Sequence, residues 1–154
     1  MIEKLKDKYV FFDVDGTLSE YRYNDHVSGG NARGGQTYEE LFFGDVFIKN
    51  RPLKVMQRIV EQLNPDKMFV LGAITTSHEL LEKFKWLPKH YPNIKQEHYV
   101  FVGASDMKVI ALEKYSEKLN IKKSDIVLID DKHATIRAVE EAGFIAYHPT
   151  SFIE

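Results

Sequence analysis

Cysteine is absent from the 154 residues, which excludes disulfides, thiolate metal sites and a cysteine nucleophile. No apolar run approaches the length needed to cross a bilayer. The charged stretch Met1 to Lys8 lacks the apolar core of a signal peptide, so the expected setting is cytoplasmic with no membrane partner. Neither sign of charge dominates: 21 basic against 23 acidic residues leave a net charge of −2, and no basic stripe advertises a nucleic-acid surface. No internal repeat is visible. What remains is a chain long enough for one domain with a real core.

The most informative stretch is Tyr9 to Leu18. An apolar run, Tyr9 to Phe12, delivers Asp13 and Asp15, and then Gly16 and Thr17 break it. Alternate residues of a strand point the same way, so the two carboxylates can converge at its end. Gly16 permits a turn that other residues resist. Further apolar runs of strand length follow at Met68 to Ile74, Tyr99 to Val102, Ile126 to Ile129 and Phe144 to Tyr147. Runs apolar on both faces suit buried parallel strands.

Helical patterns lie between these runs. Pro52 to Leu63 repeats apolar residues at helical spacing, with Pro52 in the first turn. Ser77 is the expected cap of a helix from about His78 to Leu87 that meets Pro88. Ser105 or Asp106 is the expected cap of a helix running to about Leu119, with Lys108 in its first turn. A last helix spans about Ala134 to Ala142 and ends at Gly143. Thr37 to Phe43 reads as a short helix with a capping box.

Strand and helix alternate, which predicts an α/β, three-layer Rossmann-like fold with a mostly parallel central sheet of about five strands. Residues 1–154 form a single domain in this reading, with 19–50 as a flap or minimal insertion after the first strand and no large cap domain. Four glycines crowd positions 29, 30, 34 and 35 around Arg33. That segment reads equally as a surface excursion or as a small flap over a site.

In such folds ligands bind beyond the carboxyl ends of the strands. Those ends carry Asp13 and Asp15, Thr75 and Thr76, and Asp130 and Asp131, while Lys108 begins the helix after the third strand. Four carboxylates in one crevice repel each other, so either protons stay on or a cation neutralises them. An all-oxygen ligand set favours a hard ion, Mg²⁺ first. Thr75 and Lys108 then supply a hydroxyl donor and a positive charge for a phosphate, and loop amides around Asp15 and Thr76 add donors.

This assembly resembles the haloacid dehalogenase-like superfamily of hydrolases. Asp13-Val14-Asp15-Gly16-Thr17 matches its DxDGT signature, Thr75 its second motif, Lys108 its third, and Ile129-Asp130-Asp131 its fourth. The resemblance implies a Mg²⁺-dependent phosphatase in which Asp13 attacks phosphorus and Asp15 moves protons. It places the metal on Asp13, the main-chain carbonyl of Asp15, and Asp131. Asp130 stands beside the metal, reached through water. Thr75 and Lys108 hold the phosphoryl oxygens. Gly16, Thr76 and Arg33 complete the expected substrate contacts. Thr135 stands where many relatives carry Asp or Asn.

A capless or minimally capped chain leaves an open site, suited to a bulky substrate, to a macromolecular phosphate, or to closure by a partner subunit in a homo-oligomer. The expected substrate is a small-molecule phosphate ester. Lys85 to Pro92 is similar to a segment of the deoxyribonucleotidase-like branch and points to nucleoside monophosphates, although Trp86 reads equally well as a packing residue. Tyr21, Tyr23 and Tyr38 could stack on a base or sugar. The alternatives are a broad small-metabolite or sugar-phosphate phosphatase and, from another class, a non-catalytic phosphate- or protein-binding module on the same fold. A receiver-like reading, with Asp13 as phosphate acceptor, is weakened by Asp15, which would speed dephosphorylation.

Overall fold

The computed structural model describes residues 1–20 and 47–153. The expected short helix at 37–43, the glycine-rich segment with Arg33, and Tyr21, Tyr23 and Tyr38 lie outside the described residues. Most of the expected 19–50 insertion does too.

Five strands form one fully parallel sheet: β1 (Tyr9–Phe12), β2 (Met68–Ala73), β3 (Tyr99–Val102), β4 (Ile126–Ile129) and β5 (Ile145–Tyr147), in the spatial order β3-β2-β1-β4-β5. The helices α1 (Lys54–Gln62), α2 (Ser77–His90), α3 (Lys108–Lys118) and α4 (His133–Glu141) alternate with them. Strand periodicity divides the apolar residues between two cores. Val10 and Phe12, Met68 and Val70, and Val127 and Ile129 face one layer with Met56, Ile59 and Val60 of α1 and Trp86 and Leu87 of α2. Phe11, Phe69 and Leu71, and Ile126 and Leu128 face the other with Leu112 of α3 and Val139 of α4. The α/β fold is therefore three-layered, as the alternation of elements predicted. Between β2 and β3 stands α2 with short turns, so no large cap interrupts the described part of that interval.

β1 lies at the centre. Its register pairs Phe12 with Val70 of β2 and with Ile129 of β4. From β1 the chain builds outward to β2 and β3 on one side, then crosses to β4 and β5 on the other. The boundary between β1 and β4 is the topological switch point, where parallel sheets open a crevice beyond their carboxyl ends.

Several local expectations need correction. Thr76, not Ser77, caps α2: its hydroxyl accepts the Glu79 N–H at 3.1 Å, and Ser77 is already helical. Glu79 returns the contact one residue further out, its Oε1 accepting the Thr75 N–H at 2.6 Å, in a variant of the capping box. The helix also runs through Pro88 to His90. Pro88 sits exposed in the last turn, where the one backbone hydrogen bond it cannot donate is lost close to the end of the helix. Pro52 precedes α1 rather than opening it; Leu53 is the N-cap. Neither Ser105 nor Asp106 caps α3. They form a 3₁₀ turn, Ser105–Met107, and Lys108 is the first residue of the α-helix. Trp86 is fully buried, packs edge-on to Phe47 at 5.2 Å, and donates its indole N–H to the Asn50 carbonyl at 2.8 Å. Its role in the structure is packing.

Candidate active site at the carboxyl edge of the sheet

The Asp13 N–H donates to the Ile129 carbonyl at 2.9 Å, extending the β1–β4 ladder by one residue and setting Asp13 beside Asp130. Gly16 then turns the chain with φ +78°, a left-handed conformation that side chains rarely adopt. A Cβ at this position would stand 2.2 Å from Asp131 Oδ2, so the loop after β1 and the loop after β4 touch through the missing side chain. Asp13, Asp130 and Asp131 each place a carboxylate oxygen within 4.8 Å of the others.

Lys108 reaches into this acidic group from α3. Its ammonium donates to Asp13 Oδ1 at 2.8 Å and to Asp130 Oδ2 at 2.7 Å, with only 3% of the side chain exposed. Burial works against the charged amine, but the two carboxylates outweigh it and hold the pKa of Lys108 above the ordinary value. The second oxygen of Asp130 accepts the Lys132 N–H at 2.9 Å. Asp130 thus anchors both Lys108 and the turn into α4. Burial, with the nearby charge of Asp13, still leaves the pKa of Asp130 raised.

Asp131 is pushed up to about 7, first by burial, then by the charge of Asp13, a hydrogen bond with Asp13 and the charge of Asp130. The carboxylates therefore hold more protons than separate groups would. A divalent cation could replace that proton, and an all-oxygen donor set fits a hard ion.

A dependence of stability on pH follows. In the unfolded chain Asp131 ionises near its ordinary 3.8, whereas in the metal-free folded protein it keeps its proton to about 7. Between those values the folded state binds the extra proton, so stability falls as pH rises through the window and the loss is complete above it. Thermal melts of metal-free protein are expected to show a declining contribution from about pH 4 to about pH 7 that Asp131→Asn removes. Added divalent cation should raise the melting temperature more above the window than below it.

The remaining expected residues are placed as follows. Thr75 is exposed just beyond β2, with its N–H already given to Glu79. Thr76 is buried, its hydroxyl used in capping α2. Thr135 is buried in the first turn of α4. His133 is exposed and stacks on His148 at 5.6 Å. Arg33 lies outside the described residues. Sequence reasoning missed Lys83. This α2 residue is fully buried, and its ammonium donates to Asp15 Oδ2 at 2.7 Å, to Glu79 Oε2 at 3.4 Å and to the Ala73 carbonyl at 3.4 Å. Its only sequence signal is the spacing Glu79-x-x-x-Lys83, which looks like an ordinary surface ion pair.

The fold and site define an α/β protein of Rossmann-like architecture with an acidic crevice at its switch point. No family model matches the chain, and no curated protein matches it. Among solved structures it is similar to the N-terminal part of protein BF1531 from Bacteroides fragilis, which contains a phosphatase domain and was crystallised in complex with Mg²⁺. The TM-score is 0.55 at 16% identity, over 99% of this chain and 39% of that one. The likeness is one of fold, and the chain spans well under half of that neighbour. Among the described residues no helix is long and apolar enough to cross a membrane.

Proposed function

We propose that this chain is a Mg²⁺-dependent phosphomonoester hydrolase that works through an aspartyl phosphate on Asp13. One observation carries the reading. At the carboxyl end of the central strand, Asp13 is held by Lys108 at 2.8 Å within a cluster of three carboxylates, and a second carboxylate, Asp15, stands two residues on. A module that only bound phosphate would need neither the cluster nor the acid. The motif resemblance to haloacid dehalogenase-like hydrolases and the fold likeness to a phosphatase domain support it.

In this reading an Asp13 carboxylate oxygen forms a bond to phosphorus as the ester P–O bond breaks. The electron pair goes to the leaving oxygen, which takes a proton from the Asp15 carboxyl. In the second half Asp15 takes a proton from water, whose oxygen attacks phosphorus and frees Asp13 and inorganic phosphate. Lys108 and Thr75 hold the phosphoryl oxygens. The loop amides at Gly16 and Thr76 add donors, since the Thr76 hydroxyl already caps α2. Arg33 is a further anion contact in this scheme. Asp13, Asp131 and the main-chain carbonyl of Asp15 would hold Mg²⁺, with Asp130 beside it. When bound, Mg²⁺ neutralises the carboxylates and polarises a phosphoryl oxygen. Positioning and electrostatics dominate catalysis of this kind.

The substrate class is a small phosphate ester, with nucleoside monophosphates the first to try and sugar phosphates the alternative. A panel of nucleoside monophosphates, sugar phosphates and an aryl phosphate, assayed with Mg²⁺ and with chelator, tests the proposal. Turnover of at least one class that disappears with chelator is the expected result. Inertness toward the whole panel would sink it.

A further inference from the structure

We propose that Lys83, held by Glu79, is a positioning residue that orients the Asp15 carboxyl for proton transfer to the leaving group; this rests on the phosphatase reading above. A buried lysine inside a helix is costly unless its donors are used. All three ammonium protons of Lys83 have acceptors: Asp15, Glu79 and the last carbonyl of β2. The ammonium also lies over the Phe47 ring, 5.1 Å from its centre, a cation–π contact. This ammonium is as buried as a core leucine, and the group it reaches most closely is Asp15, whose side chain is 25% exposed.

Glu79 makes the arrangement rigid. Its Oε2 faces Lys83 while its Oε1 receives the Thr75 N–H, so one carboxylate ties the lysine to the residue after β2 that is expected to contact phosphate. A continuous chain of contacts runs from Thr75 through Glu79 and Lys83 to Asp15. It joins the expected phosphate contact to the expected proton donor across the mouth of the sheet. Glu79 also offsets the charge of Lys83, so the contact to Asp15 acts as an orienting hydrogen bond and not as that of a lone countercharge. A purely structural lysine would be equally well served by Glu79 and the Ala73 carbonyl. The 2.7 Å contact to Asp15 is the shortest of the three.

The test compares esters whose leaving groups differ in their need for a proton. Lys83→Met is assayed with 4-nitrophenyl phosphate, which expels a stable anion, and with an unactivated alkyl phosphate. Loss of general-acid positioning is expected to lower kcat for the alkyl ester about a hundredfold more than for the aryl ester. The Mg²⁺ concentration for half-maximal rate should stay within about threefold, since Lys83 holds the Asp15 side chain and touches neither the acidic triad nor the Asp15 main-chain carbonyl. Lys83→Met leaves Glu79 without its buried partner, so the double variant Lys83→Met/Glu79→Gln is made in parallel. It removes both charges and should show the same leaving-group split if the single variant folds poorly. An equal fall for both esters in the folded variant would overturn the inference while leaving the phosphatase reading intact. A wild-type protein inert to both esters would overturn the reading itself, and the inference with it.

Discussion

Asp13→Asn is expected to lower kcat for any phosphomonoester turned over by the protein about a thousandfold or more, the scale on which removal of a covalent nucleophile acts. The substitution is nearly isosteric. The amide oxygen can still accept the hydrogen bond from Lys108, which now spans 2.8 Å to Asp13 Oδ1. What disappears is an anionic oxygen able to form a bond to phosphorus. The fold should not suffer. Burial first, and then the charge of Asp13, raise the pKa of Asp130 and Asp131, so removing that charge relieves part of the repulsion among buried carboxylates. Lys108 keeps Asp130 as its counterion at 2.7 Å. The metal-free variant is therefore expected to melt no lower than the parent. Acid-quenched wild-type protein should carry a phosphoryl group that hydroxylamine removes, and the variant should carry none. Retention of more than about a tenth of the parent rate would place the nucleophile elsewhere.

Much of this geometry was legible in the sequence, for a physical reason. The inner strands β1, β2 and β4 are almost wholly buried, and even the half-buried edge strand β3 is apolar throughout, so the apolar runs are continuous and their ends abrupt. Tyr99–Val102 and Ile126–Ile129 end where the apolar letters do. Once those runs are read as parallel, the carboxyl-edge rule collects Asp13, Lys108, Asp130 and Asp131 without knowledge of any distance. Helix ends were less legible because a cap depends on backbone geometry. Thr76 and Ser77 are both competent caps, and only the extended conformation of Thr76 decides between them. Lys83 was not legible at all. On α2 the residues at 79, 82, 83, 86 and 87 share the buried face, and the first three of them are charged. A face is normally recognised by its apolar letters, so one built from Glu79, Glu82 and Lys83 looks like a solvated surface. Glu82 is also committed inward, its carboxylate accepting the Ile48 N–H at 2.7 Å and facing His78 at 3.0 Å.

The opening motif is thus served by two lysines that arrive from opposite layers. Lys108 comes from α3, whose Leu112 packs in one core, and takes Asp13. Lys83 comes from α2, whose Trp86 and Leu87 pack in the other, and takes Asp15. Alternate residues of the segment after β1 meet opposite partners with separate counterions. This arrangement suits a division of labour in which one carboxylate attacks while the other moves protons. It also means that each lysine can be removed without directly unpairing the other.

Lys108→Met is the severest test of that separation. Methionine matches the length of the lysine stem but leaves Asp13 and Asp130 facing each other with no cation between them. Removing one partner from a buried ion pair costs about 3–5 kcal/mol, because the surviving charge is stranded. For a chain of this size that corresponds to a fall in melting temperature of roughly 6–20 °C. The deficit should be smaller in acid, where the carboxylates of the variant can take up protons, and should grow as pH rises past the point at which they ionise. Added Mg²⁺ should recover part of the lost stability by supplying the missing positive charge. It should not recover activity, which under the proposed mechanism is expected to fall about a hundredfold or more, because the proposed contact to the phosphoryl group is lost along with the restraint on Asp13. Differential scanning calorimetry across pH, with and without Mg²⁺, separates these effects. A variant that melts within about 2 °C of the parent at neutral pH without metal would mean that the acidic cluster tolerates its own charge, and the case for a cation at this edge would lose its main physical support.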